Sequence, residues 1–156
     1  PPLREAADVQ ALRAGVAEGV ITVLATDHAP HTQHEKNVPF ELAPFGIVGI
    51  ETALPLYVES LIESGAIEWP RLIALMTIEP ARLCHLDTRG VGTLCVGGPA
   101  DVTVIDPTAQ WTIDVDTFKS KSVNTPFGGR GVTGRAALTI VNGDIRHSTL
   151  DSVVVC

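Results

Sequence analysis

The chain has 156 residues, enough for one domain or two small units. Its 11 Lys and Arg are outnumbered by 18 Asp and Glu, and the formal charge of −7 works against nucleic acid and anionic membrane surfaces. Aromatic residues make up only 4% of the chain, too few for base-stacking platforms.

Pro1-Pro2 favours an extended entry. From Arg4 to about Glu18, Val9, Leu12 and Val16 recur at spacings of three and four, which predicts a helix with one apolar face. Glu5 and Asp8 suit its positive end, and Gly19 suits its stop. Val20 to Thr26 is a continuous apolar and β-branched run without alternation, the pattern of a parallel strand buried on both faces. Helix, turn and buried strand form half of an α/β repeat.

Asp27 to about Ile47 has no period and carries Pro30, Pro39, Pro44 and Gly46. A loop this long in a small domain is usually functional or disordered, and its position directly behind a carboxylate favours function. Gly49 to Ser64 predicts a second helix, interrupted at Pro55 and ended by Gly65. Trp69 to Thr77 predicts a third, opened by Pro70, and Ile78 to Leu86 a short fourth with Pro80 near its start. Beyond Gly90 the helical period gives way to short β runs. Strands are predicted at Asp101–Asp106 and Trp111–Ile113, and a hairpin at Leu138–Ile145 around Asn142-Gly143. A domain boundary is expected near residue 88.

Cys84, Cys95 and Cys156 are widely spaced with no CxxC, which fits a reducing, cytoplasmic setting better than a disulfide scaffold or a cysteine-held metal. No signal-peptide pattern and no apolar run of about 18 residues is visible, so no membrane span is expected.

The chemistry gathers at Thr26-Asp27-His28-Ala29-Pro30-His31. An aspartate at the carboxyl end of a buried parallel strand stands where α/β barrels keep their reacting groups. A buried carboxylate has to be paired, hydrogen-bonded or metal-bound. Asp27 therefore ligates a metal, acts as general base toward a metal-activated water, or caps a turn. His28, His31 and His34 beside it offer zinc-type donors, but the segment is not HExxH and Pro30 bars a regular helix. The better division gives Asp27 to the metal and a nearby histidine to an anionic substrate group, with His34 solvated beside Glu35 and Lys36. In Ala43-Pro44-Phe45-Gly46, Phe45 offers a cover for a flat substrate and Gly46 permits close backbone approach; a plain Pro-Gly turn is the competing explanation.

These stretches, with Pro1-Pro2-Leu3-Arg4, Glu51-Thr52-Ala53-Leu54-Pro55-Leu56, Gly97-Gly98-Pro99-Ala100-Asp101, Ser120-Lys121-Ser122-Val123-Asn124-Thr125-Pro126-Phe127 and Thr139-Ile140-Val141-Asn142-Gly143, resemble the larger, bacterial class of dihydroorotase in the amidohydrolase superfamily. The resemblance runs over nearly the whole chain. It implies an α/β fold: the C-terminal part of a metal-dependent (β/α)8 barrel in residues 1–88, then part of a composite β-sandwich in residues 89–156. It implies zinc, one or two ions, and reversible hydrolysis of L-dihydroorotate to N-carbamoyl-L-aspartate in pyrimidine synthesis. Carried over by motif, Asp27 is zinc ligand and proton carrier, His31 holds the substrate carboxylate, and Phe45 and Gly46 meet substrate through their backbone. A second copy of the chain or aspartate carbamoyltransferase is the implied partner.

The family's His-x-His, its bridging ligand, its two later metal histidines and a substrate-contacting asparagine are expected upstream of Pro1. About eight strands are needed to close such a barrel, more than these residues supply. Other expectations consistent with the residues are an allantoinase- or hydantoinase-like cyclic amidohydrolase, a non-catalytic partner of aspartate carbamoyltransferase, and a small α/β binding module with a histidine-rich loop.

Overall fold

The structure, a computed structural model, describes residues 5–150; the expected extended entry at Pro1-Pro2 and Cys156 lie outside them. Helix α1 spans Ala6–Ala17. The Glu5 N–H donates to the Asp8 carboxylate, which ties down an otherwise unpaired amide of the first turn. The helix stops where Gly19 turns left-handed, with φ 81°. Of the expected apolar face only Val16, near the end of α1, is buried; Leu12 remains 44% exposed.

Residues 20–26 form no β-ladder. Ile21 donates its N–H to the Gly15 carbonyl and Leu24 to that of Leu75, and no other strand pairs with the run among the described residues. This corrects the expectation of a strand buried on both faces: Leu24 is half-buried and Val20 is 76% exposed. A strand exists through its lateral partners, and β-branched residues alone do not supply them.

The long loop contains one helical turn, α2 (Gln33–Lys36), opened by Thr32. Helix α3 (Ala53–Tyr57) runs directly into a π-helical turn at Val58–Ile62, closed by Glu63 N–H to the Val58 carbonyl at 2.9 Å. Pro55 lies in the first turn of α3, where no intrahelical N–H is required, so it does not interrupt the helix; the helix simply starts later than Gly49. Helices α4 (Trp69–Met76) and α5 (Ile78–Leu83) follow, with Pro70 and Pro80 in their first turns. Leu72 and Leu75 of α4 are fully buried with Val58, Leu61 and Val16, and Ile21 and Leu24 pack on their edge. Each such leucine removes enough apolar surface from water to contribute about 1.5–3 kcal/mol.

Three antiparallel strands form one sheet in the order β1 (Val102–Thr112), β2 (Gly131–Val141), β3 (Asp144–Ser148). The two expected strands at 101–106 and 111–113 are one strand with a register shift between Asp106 and Gln110. Pro107 cannot donate to the ladder, and the Asp106 carboxylate accepts the N–H groups of Thr108 and Ala109 at 2.9 and 3.1 Å, closing the bulge. Those bonds hold the Asp106 carboxyl below the usual carboxylate range, the Thr108 N–H foremost. Asn142 and Gly143, with φ 51° and 82°, make the two-residue β2–β3 turn as expected.

The sheet meets the helices at Gly134. A Cβ there would lie 3.3 Å from Val58 Cγ2, and the Trp111 indole N–H donates to the Gly134 carbonyl at 3.1 Å. Arg130 pairs with Glu59 across the same junction. No helix among the described residues is long and apolar enough to cross a membrane.

Candidate active site around Asp27 and His31

The segment 25–31 is held from three directions. From below, the Tyr57 hydroxyl donates to the Ala25 carbonyl at 2.8 Å, and partial burial pushes that phenol up from its ordinary pKa. From the side, His28 Nδ1 accepts the Gly49 N–H at 3.1 Å, with the Ile50 N–H at 3.4 Å. In the neutral ring the proton therefore sits on Nε2, and Nδ1 is committed to the entry of α3. Gly49 is required at this approach, since a Cβ would lie 2.9 Å from the Thr26 carbonyl oxygen. From the C-terminal side, the His31 N–H donates to Asn124 Oδ1 at 3.0 Å.

Asp27 sits at the bend with φ 46°, a left-handed conformation that aspartate tolerates better than most residues. Its side chain is exposed, and no hydrogen bond or ion pair reaches it among the described residues. The structure thus replaces the expected buried carboxylate with a solvent-facing one. It is not engaged in a turn cap, so its oxygens are free to accept a cation or a proton.

His31 is oriented by its ring as well as its backbone. Nε2 lies 2.8 Å from the Phe45 carbonyl, an acceptor only, so Nε2 carries hydrogen and Nδ1 is the open nitrogen. Nδ1 lies 3.9 Å from Glu35 Oε2. That oxygen already accepts the Thr32 N–H at 2.8 Å and the Thr32 hydroxyl at 2.9 Å, while the Glu35 N–H donates back to Thr32 Oγ1. The reciprocal cap holds the Glu35 carboxyl below its usual range, the Thr32 backbone donor contributing most. His34 is exposed, as expected, with no hydrogen bond to its ring among the described residues.

Phe45 and Gly46 face His31. The Phe45 ring is 84% exposed, and its carbonyl is the acceptor for His31. Gly46 has φ 110°, and a Cβ on it would lie 2.6 Å from Ala29 Cβ and 3.3 Å from His31 Nε2. Close approach is thus required at Gly46, and it is an approach to Ala29 and His31. The N–H groups of Phe45 and Gly46 meet no acceptor among the described residues.

Two residues with no assigned role in the sequence hold this arrangement. Lys36 Nζ donates to the Pro44 and Gly46 carbonyls at 2.8 and 2.9 Å, closing the 36–46 loop on itself. Asn124 bonds to residues 29, 31 and 46 at once. Lys36 lies one residue past a Thr-x-x-Glu capping signal readable at Thr32–Glu35, whereas the Ser120–Phe127 stretch holding Asn124 carries no local sign of contact with His31, 93 residues away. A groove of about 680 Å³ between α3 and the sheet is lined by Glu51, Leu54, Trp111, Lys119, Arg135 and His147 among others; none of the 27–46 residues lines it.

Among the described residues no three His, Cys, Asp or Glu side chains gather closely enough to hold a metal ion. The donor set here fits one corner of a metal site: one open carboxylate on a constrained backbone.

The sequence pattern of the amidohydrolase family matches residues 2–146, and the chain belongs to that family. Among curated relatives, the dihydroorotase of Geotalea daltonii is 49% identical over 147 residues, 94% of this chain and 34% of the relative. The dihydroorotase of Syntrophotalea carbinolica is 50% identical over 151 residues, 97% of this chain and 35% of the relative. This chain thus spans about a third of the length of the curated relatives it matches. Among solved structures, the L-hydantoinase (dihydropyrimidinase) of Arthrobacter aurescens superposes with TM-score 0.88 at 30% identity, over 99% of this chain and 35% of that one. The D-hydantoinase (dihydropyrimidinase) of a Thermus species gives 0.84 at 30% identity, over 95% and 33%.

Proposed function

We propose that this chain is the C-terminal third of a dihydroorotase, which reversibly hydrolyses L-dihydroorotate to N-carbamoyl-L-aspartate in cytoplasmic pyrimidine synthesis. The observation that carries the reading is 49–50% identity to relatives of that name over nearly the whole chain, against 30% for the hydantoinase structures. In this reading residues 1–88 are the last units of a (β/α)8 barrel and residues 89–156 part of a β-sandwich. The unladdered run at 20–26 and the uncovered face of α1 are what such a piece presents.

Asp27 would hold zinc together with ligands outside this chain; when bound, zinc supplies Lewis-acid polarisation of the ring amide. The chain's own residues do the rest. Water adds across the ring C–N bond: its oxygen bonds to the carbonyl carbon as the C–N bond breaks. The Asp27 carboxylate takes the water's proton and delivers it to the leaving nitrogen. His31, its ring turned by the Phe45 carbonyl, presents Nδ1 to the substrate carboxylate when protonated. The unpaired N–H groups of Phe45 and Gly46 donate to the remaining substrate oxygens. A second copy or aspartate carbamoyltransferase is the proposed partner.

The hydantoinase-like structures favour one second reading, a cyclic amidohydrolase for rings without a carboxylate. His31→Ala separates the two. In the longer enzyme it should weaken dihydroorotate binding and leave turnover of dihydrouracil unchanged. Faster wild-type hydrolysis of dihydrouracil or hydantoin than of dihydroorotate would replace the first reading with the second. No turnover of any ring would favour a non-catalytic partner of aspartate carbamoyltransferase.

A further inference from the structure

The Asp27–His31 segment and the Phe45–Gly46 loop face each other without sharing a strand or helix. The His31 ring bonds to the Phe45 carbonyl, the Ala29 N–H donates to the Ile47 carbonyl, and one side chain from outside both bridges them. Asn124 Oδ1 accepts the His31 N–H at 3.0 Å, and Asn124 Nδ2 donates to the Ala29 carbonyl at 3.0 Å and the Gly46 carbonyl at 3.3 Å. The partners fix the orientation of the amide, because one donor faces its oxygen and two acceptors face its nitrogen. The main-chain carbonyl of Asn124 in turn accepts the Val48 N–H at 3.1 Å. Asn124 lies on the strap 119–127 that precedes β2, and the strap is anchored independently: the Glu51 carboxylate accepts the N–H groups of Lys119 and Ser120 at 2.8–3.0 Å.

We propose that Asn124 is a positioning residue for the reaction, setting the His31 imidazole against the Phe45 and Gly46 amides so that the substrate meets all three in one register. The inference rests on the dihydroorotase reading for the role of His31. The geometry itself supplies the rest. The His31 ring is aimed by the Phe45 carbonyl, its backbone by Asn124, and the Phe45–Gly46 peptide is held through the Gly46 carbonyl by Asn124 and Lys36 together. Removing the carboxamide leaves the ring bond intact, frees the His31 N–H and the Ala29 carbonyl, and leaves the Gly46 carbonyl to Lys36 alone. Asn124 touches no reacting atom, so its loss should appear in substrate binding far more than in the chemical step.

The test uses the longer enzyme of which this chain is proposed to be the last third. Asn124→Ala is compared with Trp111→Phe, which removes a single part-buried hydrogen bond in the sheet at Gly134, outside the site. Both should lower the melting temperature. Only Asn124→Ala should raise KM for dihydroorotate, by about tenfold or more, with kcat within about threefold of wild type. Equal KM in the two variants, or a loss confined to kcat, overturns the proposal. Amide exchange gives an activity-independent readout: the His31 N–H should exchange at least about tenfold faster in Asn124→Ala, while Val48, held by the main-chain carbonyl, keeps its protection. Unchanged His31 protection also overturns it. If the enzyme hydrolyses a different cyclic amide, the dihydroorotase reading fails and the same KM comparison on that substrate still decides the role of Asn124. If it hydrolyses none, the positioning proposal is overturned together with that reading.

Discussion

Gly46→Ala probes the meeting of the two loops most directly. The new methyl would lie 2.6 Å from Ala29 Cβ, where two carbons at optimal separation sit about 3.5–4.0 Å apart. The backbone φ of 110° adds strain for any L side chain. Overpacking of this kind costs about 1–3 kcal/mol, and a strained backbone adds about 1–3 kcal/mol, so the variant should lose roughly 2–6 kcal/mol. The clash has one named partner, which makes the estimate testable by a cycle. Ala29→Gly removes the methyl on the other side at a cost of about 0.4–1 kcal/mol and should return roughly 1–3 kcal/mol when combined with Gly46→Ala. Urea denaturation of the four proteins reads this from the midpoints, provided the slope stays constant. A double variant no more stable than the sum of the singles, or Gly46→Ala within about 0.5 kcal/mol of wild type, would refute the packing argument.

Four further outcomes are expected. Tyr57→Phe deletes the hydroxyl bond to the Ala25 carbonyl and should cost about 0.5–1.5 kcal/mol in the same denaturation assay; a neutral variant would show that the bond holds nothing. Lys36→Met keeps the stem and loses both carbonyl contacts, so chymotrypsin should cut faster after Phe40 and Phe45; an unchanged cleavage rate would count against a Lys36-closed loop. The folded-state Glu35 carboxyl titrates below its unfolded value, so its cap is fully present above the unfolded pKa of about 4.3 and is lost as pH falls through the lower folded value. Exchange of the Thr32 N–H should therefore gain protection with rising pH across that window, beyond the intrinsic pH dependence; a purely intrinsic profile would contradict the cap. The 156-residue chain on its own should show no cyclic amide hydrolysis, because one open carboxylate cannot retain a catalytic zinc, and measurable turnover by the purified chain would disprove this.

Local chemistry was readable wherever a few neighbouring residues settle the outcome. The spacing around Val9, Leu12 and Val16 placed α1, Pro70 and Pro80 marked first turns, and Asn142-Gly143 named its turn, because each depends on φ restriction or side-chain period within one element. The Thr32–Glu35 cap is equally local: Thr-x-x-Glu opens α2 within the long loop.

The sequence alone marked the candidate site residues: the Asp27–His31 string, with Phe45 and Gly46 in the same loop. Their arrangement was decided only in three dimensions. Whether residues 20–26 become a strand depends on lateral partners that no local pattern provides. The exposed left-handed bend at Asp27 and the tautomers of His28 and His31 follow from acceptors and donors on other segments. Asn124 carries no local signal because its three partners lie 78 to 95 residues away, and a hydrogen bond across that separation is specified by the fold that brings the strap to the loop.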